Sequence, residues 1–392
     1  MKLAHIADPH LGIRQYHRQT SAGINQREAD VAHAFRVAID GVIAARPDIV
    51  VVAGDLFHSV RPTNAAIVFA FRQFQRLREA LPAAPVILIA GNHDTPRSSE
   101  TGSILRLFDE LGVFVAADEA RRFDFPALDL AVLAVPHQAL VGEGRPSLRA
   151  EGGERYRVLL LHGEVEGVFP ADRSAAEYGG ALVGARELAA GNWSYVALGH
   201  YHVQMEVAPR VWYAGALEYV SPNLWGELED ESMRRTPGKG WLLADLDSGL
   251  VERYPVPLAR EIIDLDPLEG AGLLAADLNA AIAGRITSIH GGLAGKIVRL
   301  QVWNVPRHVA RELDHAAIRG WKTAALHFHL DLRRPESRRI VGVGAPGRRQ
   351  TLPELVHEYL SSRKLPDNVD REEFVRLGAE LMEAPESDLV AT

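Results

Sequence analysis

The 392-residue chain contains no cysteine. That excludes disulfides and thiolate metal sites, and it fits a reducing, cytoplasmic setting. Long apolar runs are also missing. No stretch approaches the roughly 20 residues that a membrane-spanning helix needs. The opening MKLAHIADPH has no apolar core before Asp8 and does not read as a secretory leader. Positive charge is scarce overall: 43 Lys and Arg stand against 51 Asp and Glu, a formal net of −8. Any surface for a polyanion must therefore be local. There is no internal repeat and no complete nucleotide-binding loop. GGLAGKIV (291–298) falls one residue short of Walker A spacing and places Ile after the lysine. GVGAPG (342–347) fits G-x-G-x-x-G, but Pro346 and the lack of a strand–helix context make it a linker. Regulation by ATP would need a partner.

What is present is ordinary for a globular chain, 47% hydrophobic and 24% charged, with length for two or three domains. Charge is unevenly spread. Residues 301–350 hold ten Lys/Arg and four Asp/Glu, whereas the segment from Asp367 onward holds eight acids and two arginines. Either window can be a solvated face.

Short β-branched or Leu-rich runs bounded by Gly or Pro read as buried strands: KLAHIAD, DIVVVAGD, APVILIAGNHD, RVLLLHGE, SYVALGHYH and LDLAVLAVPHQ. Amphipathic helices over 27–45 and 63–81 lie between them, the second with Thr63 as its N-cap. Strands alternating with helices predict an α/β domain. RYPVPLAREIIDLDPL, around 250–262, is Pro-punctuated and reads as a connector. A smaller α/β unit should follow, with helices near 271–289 and 306–320 and strands at GKIVRLQVWNV and AALHFHLDL. His327 and His329 read as strand residues without a further role. The expected divisions are 1–255, 256–335, a linker over 336–350, and a helix pair with an acidic tail over 351–392. In the last helix, Asp370 caps and Glu373 completes a capping-box spacing.

Five strands end in side chains able to hold a metal: Asp8 and His10; Asp55; Asn92, with His93 beside it; His162; and His200 with His202. Ligands gather at the carboxyl ends of strands in open α/β sheets. Each tip also carries a glycine nearby (Gly12, Gly54, Gly91, Gly163, Gly199), which permits a tight turn. Singly, each motif is no more than a turn or a cap. Together they supply seven side chains, too many for one tetrahedral site and suited to two ions sharing a carboxylate. The imidazole content and the absence of thiolate favour Mn, Fe or Zn over Mg. Two divalent ions beside two Asp leave a surplus of positive charge for a phosphate ester, and two such ions can activate water.

DPH, GDLFH, GNHD, LLLHGE and LGHYH resemble the motifs of the calcineurin-like metallophosphoesterase superfamily. HIADPHLGIRQY, GDLFHSVRPT and IAGNHDTPR resemble, more narrowly, the SbcD-type DNA-repair exonucleases. The motifs span about 200 residues. The protein-phosphatase pattern Gly-Asp-x-Val-Asp-Arg-Gly is absent. The resemblance implies a four-layer α/β/β/α sandwich with a smaller α/β capping domain that contacts DNA and a C-terminal helix pair. It implies a dinuclear centre, usually Mn2+, in which Asp8, His10, Asp55 and His202 hold one ion. Asp55, Asn92, His162 and His200 would hold the other. His93 would protonate the leaving oxygen with Asp94 orienting its ring, and His58 would help position the diester. The implied activity is 3′→5′ exonuclease with endonuclease action at ends or hairpins, in DNA repair and recombination. Implied partners are DNA, an SbcC-type ATPase docked on the helix pair, and a second copy joined through the region of helices 27–45 and 63–81. Two rivals stay open: a small-molecule or cyclic-nucleotide phosphodiesterase, and a non-catalytic scaffold for DNA and an ATPase. Substrate tests separate the first; the complete ligand set argues against the second.

Overall fold

A computed structural model describes residues 1–96, 102–142, 144–168, 181–236, 238–335, 352–363, 365 and 369–383. Two six-stranded sheets lie face to face. In the first, β1 (Lys2–Ile6), β2 (Ile49–Val52), β3 (Val86–Ile89) and β4 (Phe114–Ala116) run parallel. β13 (Gly240–Asp245) and β14 (Val251–Pro255) add antiparallel strands, giving the order β14-β13-β1-β2-β3-β4. The second contains β5 (Arg121–Phe125), β6 (Leu130–Val135), β7 (Tyr156–His162), β10 (Tyr195–Gly199), β11 (Met205–Ala208) and β12 (Val211–Tyr213), in the order β11-β12-β10-β7-β6-β5. A two-stranded ribbon, β8 (Glu164–Val165) with β9 (Leu182–Val183), follows β7.

Strand alternation decides the layers. Leu3 of β1 joins Ile49, Val51 and Ile87 against Val132, Val158 and Leu160 in the layer between the sheets. Ala4 and Ile6 face the other way, onto α1 (Gln26–Ala45) and α2 (Asn64–Ala80). Val31, Phe35, Ala38, Ile39 and Val42 form the buried stripe of α1, and Asn25 caps it by accepting from the Arg27 and Glu28 amides. Thr63 caps α2 as the sequence predicts. On the outer face of the second sheet, Leu140 of α3 (His137–Val141) and Leu188 of α4 (Ala185–Ala190) cover Leu159, Leu161, Val196 and Leu198. The result is the expected helix–sheet–sheet–helix sandwich. Each fully buried aliphatic side chain in these layers contributes about 1.5–3 kcal/mol.

The predicted connector is largely sheet. β14 closes the first sheet, and β15 (Ile262–Glu269) begins a second unit, so only 256–261 links the two. The prolines mislead because Pro255 and Pro267 sit at a strand end and at a register shift, where a ladder N–H is dispensable. The second unit has the parallel order β15-β16-β17, with β16 (Ile297–Trp303) central and β17 (His327–Leu332) at an edge. α6 (Ala275–Thr287) packs on it. The single helix expected over 306–320 is two, α7 (Arg307–Arg311) and α8 (His315–Ala324). Asp314 breaks it by accepting from the Ala316 and Ala317 amides, the N-cap bonds of a new helix.

Ile262, Ile297 and Leu326, at the amino ends of these strands, meet Tyr219, Leu224 and Trp225; the last two belong to α5 (Leu224–Arg234) of the first unit. His327 has a structural role the sequence reading missed: its ring stacks on Tyr16, with centroids 4.0 Å apart and planes 13° apart. α9 (Leu352–Ser362) and α10 (Arg371–Glu383) pack on one another, and Gly378 leaves room for Leu360. The Asp370 carboxylate accepts from the Glu373 amide at 2.9 Å, as the capping pattern predicts. The predicted linker, the GVGAPG run and the end of the acidic tail lie outside the described residues. No described helix is long and apolar enough to cross a membrane.

Candidate metal centre

Five strand tips converge. The loops after β1 and β2 are zipped together: His10 N–H donates to the Asp55 carbonyl and Leu11 N–H to that of Leu56, both at 2.9 Å. Asp8, His10, Asp55 and His200 all adopt positive φ, at 49°, 47°, 50° and 98°. For non-glycine residues this region costs of order 1–3 kcal/mol and clusters at functional sites. Two glycines make the convergence possible. A Cβ on Gly54, itself at φ +85°, would lie 2.4 Å from His162 Nδ1. A Cβ on Gly91 would lie 2.1 Å from the Asp55 carboxylate.

The predicted ligands fall into two trios, Asp8–His10–His202 and Asp55–His162–His200, each with ligand atoms within 4.8 Å of one another, and His10 also forms a third such group with His58 and His93. Asn92 Oδ1 lies 2.8 Å from His162 Nε2 and 3.0 Å from His200 Nδ1, which adds it to the second trio. His10 Nε2 is 3.2 Å from His202 Nε2 and 3.7 Å from Asp55 Oδ2. Asp55 therefore stands between the trios. Its Oδ2 is buried and accepts no hydrogen bond among the described residues, while His162 Nε2 lies 3.3 Å away. A buried carboxylate oxygen ringed by imidazole nitrogens is left for a cation. The residues fit the two ions that the donor set implies.

Electrostatics point the same way. Burial opposes the charge on Asp55, but His162 and His10 outweigh it and hold the carboxyl well below the usual range. Burial is also the largest influence on His162 and acts downward; Asp55 and Asp8 overcome it and push the imidazole up to about 9. Burial lifts Asp8 to about 6 against the pull of His162 and His202. A bound divalent ion would replace these protons as the local positive charge.

Support behind the ligands differs from one to the next. His162 Nδ1–H donates to the Ala53 carbonyl at 2.9 Å, so Nε2 faces the centre. His202 Nδ1 is held by Glu227 Oε1 at 3.0 Å, and the Glu227 Oε2 accepts from Lys239 Nζ at 2.7 Å. Lys239 also binds Glu231 at 2.8 Å and the His202 carbonyl at 2.9 Å. His200 Nε2 lies 3.5 Å from Glu164. The sequence reading missed Glu227, Lys239 and Glu164. Glu227 and Glu231 lie one turn apart on α5, but nothing in NLWGELEDESM says that this face turns inward. It also passed over His137, which caps a sixth strand tip, LAVLAVPH, and sits edge-on to His162 with centroids 6.4 Å apart. The tip rule itself would have found it.

His93 is beside the trios. Its amide donates to Asp55 Oδ1 and its Nδ1–H to the His58 carbonyl, both at 2.8 Å. The His58 ring stacks on it at 5.0 Å and brings Nδ1 to 3.2 Å from His10 Nδ1. Asp94 does not orient the His93 ring, as the sequence reading expected. Its carboxylate accepts from the Leu56 and Phe57 amides at 2.9 Å and from Gly91 N–H at 3.3 Å, clamping two strand-tip turns together. Backbone donors claim both oxygens, so none is left for the ring.

Calcineurin-like phosphoesterase is the family whose pattern residues 1–204 match, over half of the chain. The chain belongs to that family. Within it, this phosphoesterase is similar to proteins described as DNA double-strand break repair protein Mre11. The relative from Thermoplasma acidophilum is 30% identical over 268 residues, 65% of this chain and 64% of its own length. That from Methanocaldococcus jannaschii is 26% identical over 278 residues, 68% and 69% of the two chains. That from Methanococcus maripaludis is 39% identical over 111 residues, 28% of each. The chain thus spans about two thirds of the first two relatives and much less of the third.

Proposed function

We propose that this phosphoesterase hydrolyses phosphodiester bonds in DNA with two divalent ions, most simply Mn2+, as the nuclease subunit of a repair complex. The convergence of Asp8, His10, Asp55, Asn92, His162, His200 and His202, with Asp55 between the trios, carries the reading. Similarity to DNA-repair proteins over about two thirds of the chain supports DNA rather than a small diester. When bound, the ions would activate water and neutralise charge developing at phosphorus. The chain's own residues do the rest. The His58 carbonyl keeps a proton on His93 Nδ1, so His93 Nε2 carries the exchangeable proton and can deliver it to the leaving oxygen. His58 shields the approach and steadies the ring by stacking. Imidazole-rich, thiolate-free donors favour Mn, Fe or Zn over Mg, and the family resemblance selects manganese among them.

The helix pair is proposed to dock on the coiled coil of an SbcC-type ATPase. Tyr359 is 57% and Leu377 47% exposed, apolar surface that a partner would cover. A second copy is proposed to pack along α2, where Val68 is exposed one turn from half-buried Phe71.

With Mn2+, the protein should degrade linear DNA while leaving cyclic nucleotides intact; the opposite pattern would establish the small-diester rival. His93→Ala should slow cutting about 10²- to 10⁴-fold with two ions per chain retained. Metal loss in that variant would make His93 a structural residue instead.

A further inference from the structure

The two trios are held from different directions. His162 leans on the Ala53 carbonyl just past β2, and His200 stands near Glu164 of β8. His202 leans instead on α5, whose first turn meets the second unit. Glu227 holds the His202 ring, Lys239 holds Glu227, and Glu231 holds Lys239, each step between 2.7 and 3.0 Å. The next step is Tyr219, whose hydroxyl donates to the other Glu231 oxygen. Lys239 Nζ also lies 4.3 Å from the centroid of the Tyr219 ring.

At Tyr219 this polar chain reaches the seam between the units. The Tyr219 ring shares one apolar cluster with Ile297 and Leu326, at the amino ends of the second unit's strands, and half-buried Ile262 packs against it. The Tyr219 main chain is tied to the linker as well. Its N–H donates to Glu218 Oε1 and its carbonyl accepts from Arg27, both at 2.8 Å. Arg27 pairs with Asp30 at 3.4 Å, and Asp30 pairs with the linker residue Arg260 at 3.2 Å. Apart from Arg260, every member of the chain is buried. Replacing a buried ion pair by apolar side chains is often neutral or stabilising, so stability alone is a weak reason to keep several in a row. Loss of one partner strands the next charge, so each member fixes its neighbour.

We propose that Tyr219 is a positioning residue for the ion held by Asp8, His10 and His202, and that it makes the affinity for that ion depend on how the second unit is seated. The ring senses the seam, and the hydroxyl passes its state through Glu231, Lys239 and Glu227 to the His202 imidazole. The inference rests on the metal-centre reading above. Among the described residues the second trio has no such route, so the two ions respond unequally. Linkage makes the effect reciprocal: a seating that strengthens the ion is strengthened by it by the same factor.

The test removes only the hydroxyl. In the full chain, Tyr219→Phe should weaken one of the two Mn2+ ions about fivefold in a calorimetric titration and leave the other unchanged, an effect below the roughly 10- to 100-fold of a direct outer partner. Leu326→Ala loosens the seam from outside the polar chain. It should weaken the same ion, and it should add little in the Tyr219→Phe background. Ile262→Ala is the milder seam change should Leu326→Ala unfold. Mn2+ should also slow amide exchange at the amino ends of β15 and β16 in the wild type. That metal-dependent protection should vanish with Tyr219→Phe, whereas mere loss of packing would raise exchange with and without metal alike. Two ions held as tightly by Tyr219→Phe as by the wild type would overturn the inference alone. So would additive losses in the double variant. A wild type that holds no ion would overturn the metal centre and the inference with it.

Discussion

The two parallel sheet edges of this protein use one topology for opposite charges. At the tips of β1, β2, β3, β7 and β10 the candidate ligands are buried, Asn92 half-buried, and most are backed by carbonyls or carboxylates. Beyond the tips of β16 and β17, Arg307, Arg311 and Arg334 are exposed and unpaired among the described residues, while Arg333 pairs with Asp331. The first edge is preorganised, because a cation site must hold lone pairs at fixed positions while excluding water. The second carries only accumulated charge: its guanidiniums are rigid planar forks, and no partner among the described residues fixes where they point. Precision is built where lone pairs must converge, and it is omitted where long-range attraction suffices.

Removing the carboxylate that stands between the trios tests the first edge most severely. Asp55→Ala should drop metal content from two ions per chain towards none and reduce diester hydrolysis by more than a hundredfold, since even outer partners are worth about 10- to 100-fold. Retention of both ions, measured by elemental analysis, would mean that the trios are independent sites. Glu227→Gln is the next step down. It should weaken the ion held by Asp8, His10 and His202 about 10- to 100-fold in a metal titration, and alter the His202 Nδ1 signal in a nitrogen NMR spectrum. An unchanged titration would reduce Glu227 to packing.

Asp94→Asn separates clamp from orienter. An amide nitrogen would face the backbone donors of Leu56, Phe57 or Gly91, so unfolding should become easier by about 1–3 kcal/mol. Lost activity at full stability would restore the orienting role. The interior of the two-sheet sandwich supplies the smallest effect. Burial lowers His5 to about 3. Between that value and 6.5 the unfolded chain takes up a proton that the folded chain refuses, so stability falls as pH drops through 6.5. By pH 5 the loss is about 2 kcal/mol. Denaturant midpoints at pH 7 and pH 5 measure it, and His5→Phe should flatten the slope. An unchanged slope would show that other groups dominate.

Much of this was legible in the sequence because the sandwich is written in period-two strands with a polar residue at each tip. All seven metal candidates sit where that pattern puts them. Support behind the ligands was not legible. Glu227 reaches His202 only through the packing of α5, and Lys239 from the residue before β13, and no local spacing reports either. Asp94 misled because adjacency to His93 suggests contact, whereas a turn sends consecutive side chains apart. Pro255 and Pro267 disguised strands, since an edge or a register shift tolerates what a central strand does not. His327 looked idle because its partner, Tyr16, is about 300 residues away.

Positive φ at Asp8, His10, Asp55 and His200 has a consequence for how such a centre can be traced through altered chains. The torsions belong to the main chain, not to the donor atoms. A bare Cα trace, stripped of every imidazole and carboxylate, would still carry four left-handed kinks around one point. A descendant that abandoned the chemistry would gain by relaxing them, whether or not it kept its histidines. The kinks thus act as a wear gauge, recording whether a centre is still in use.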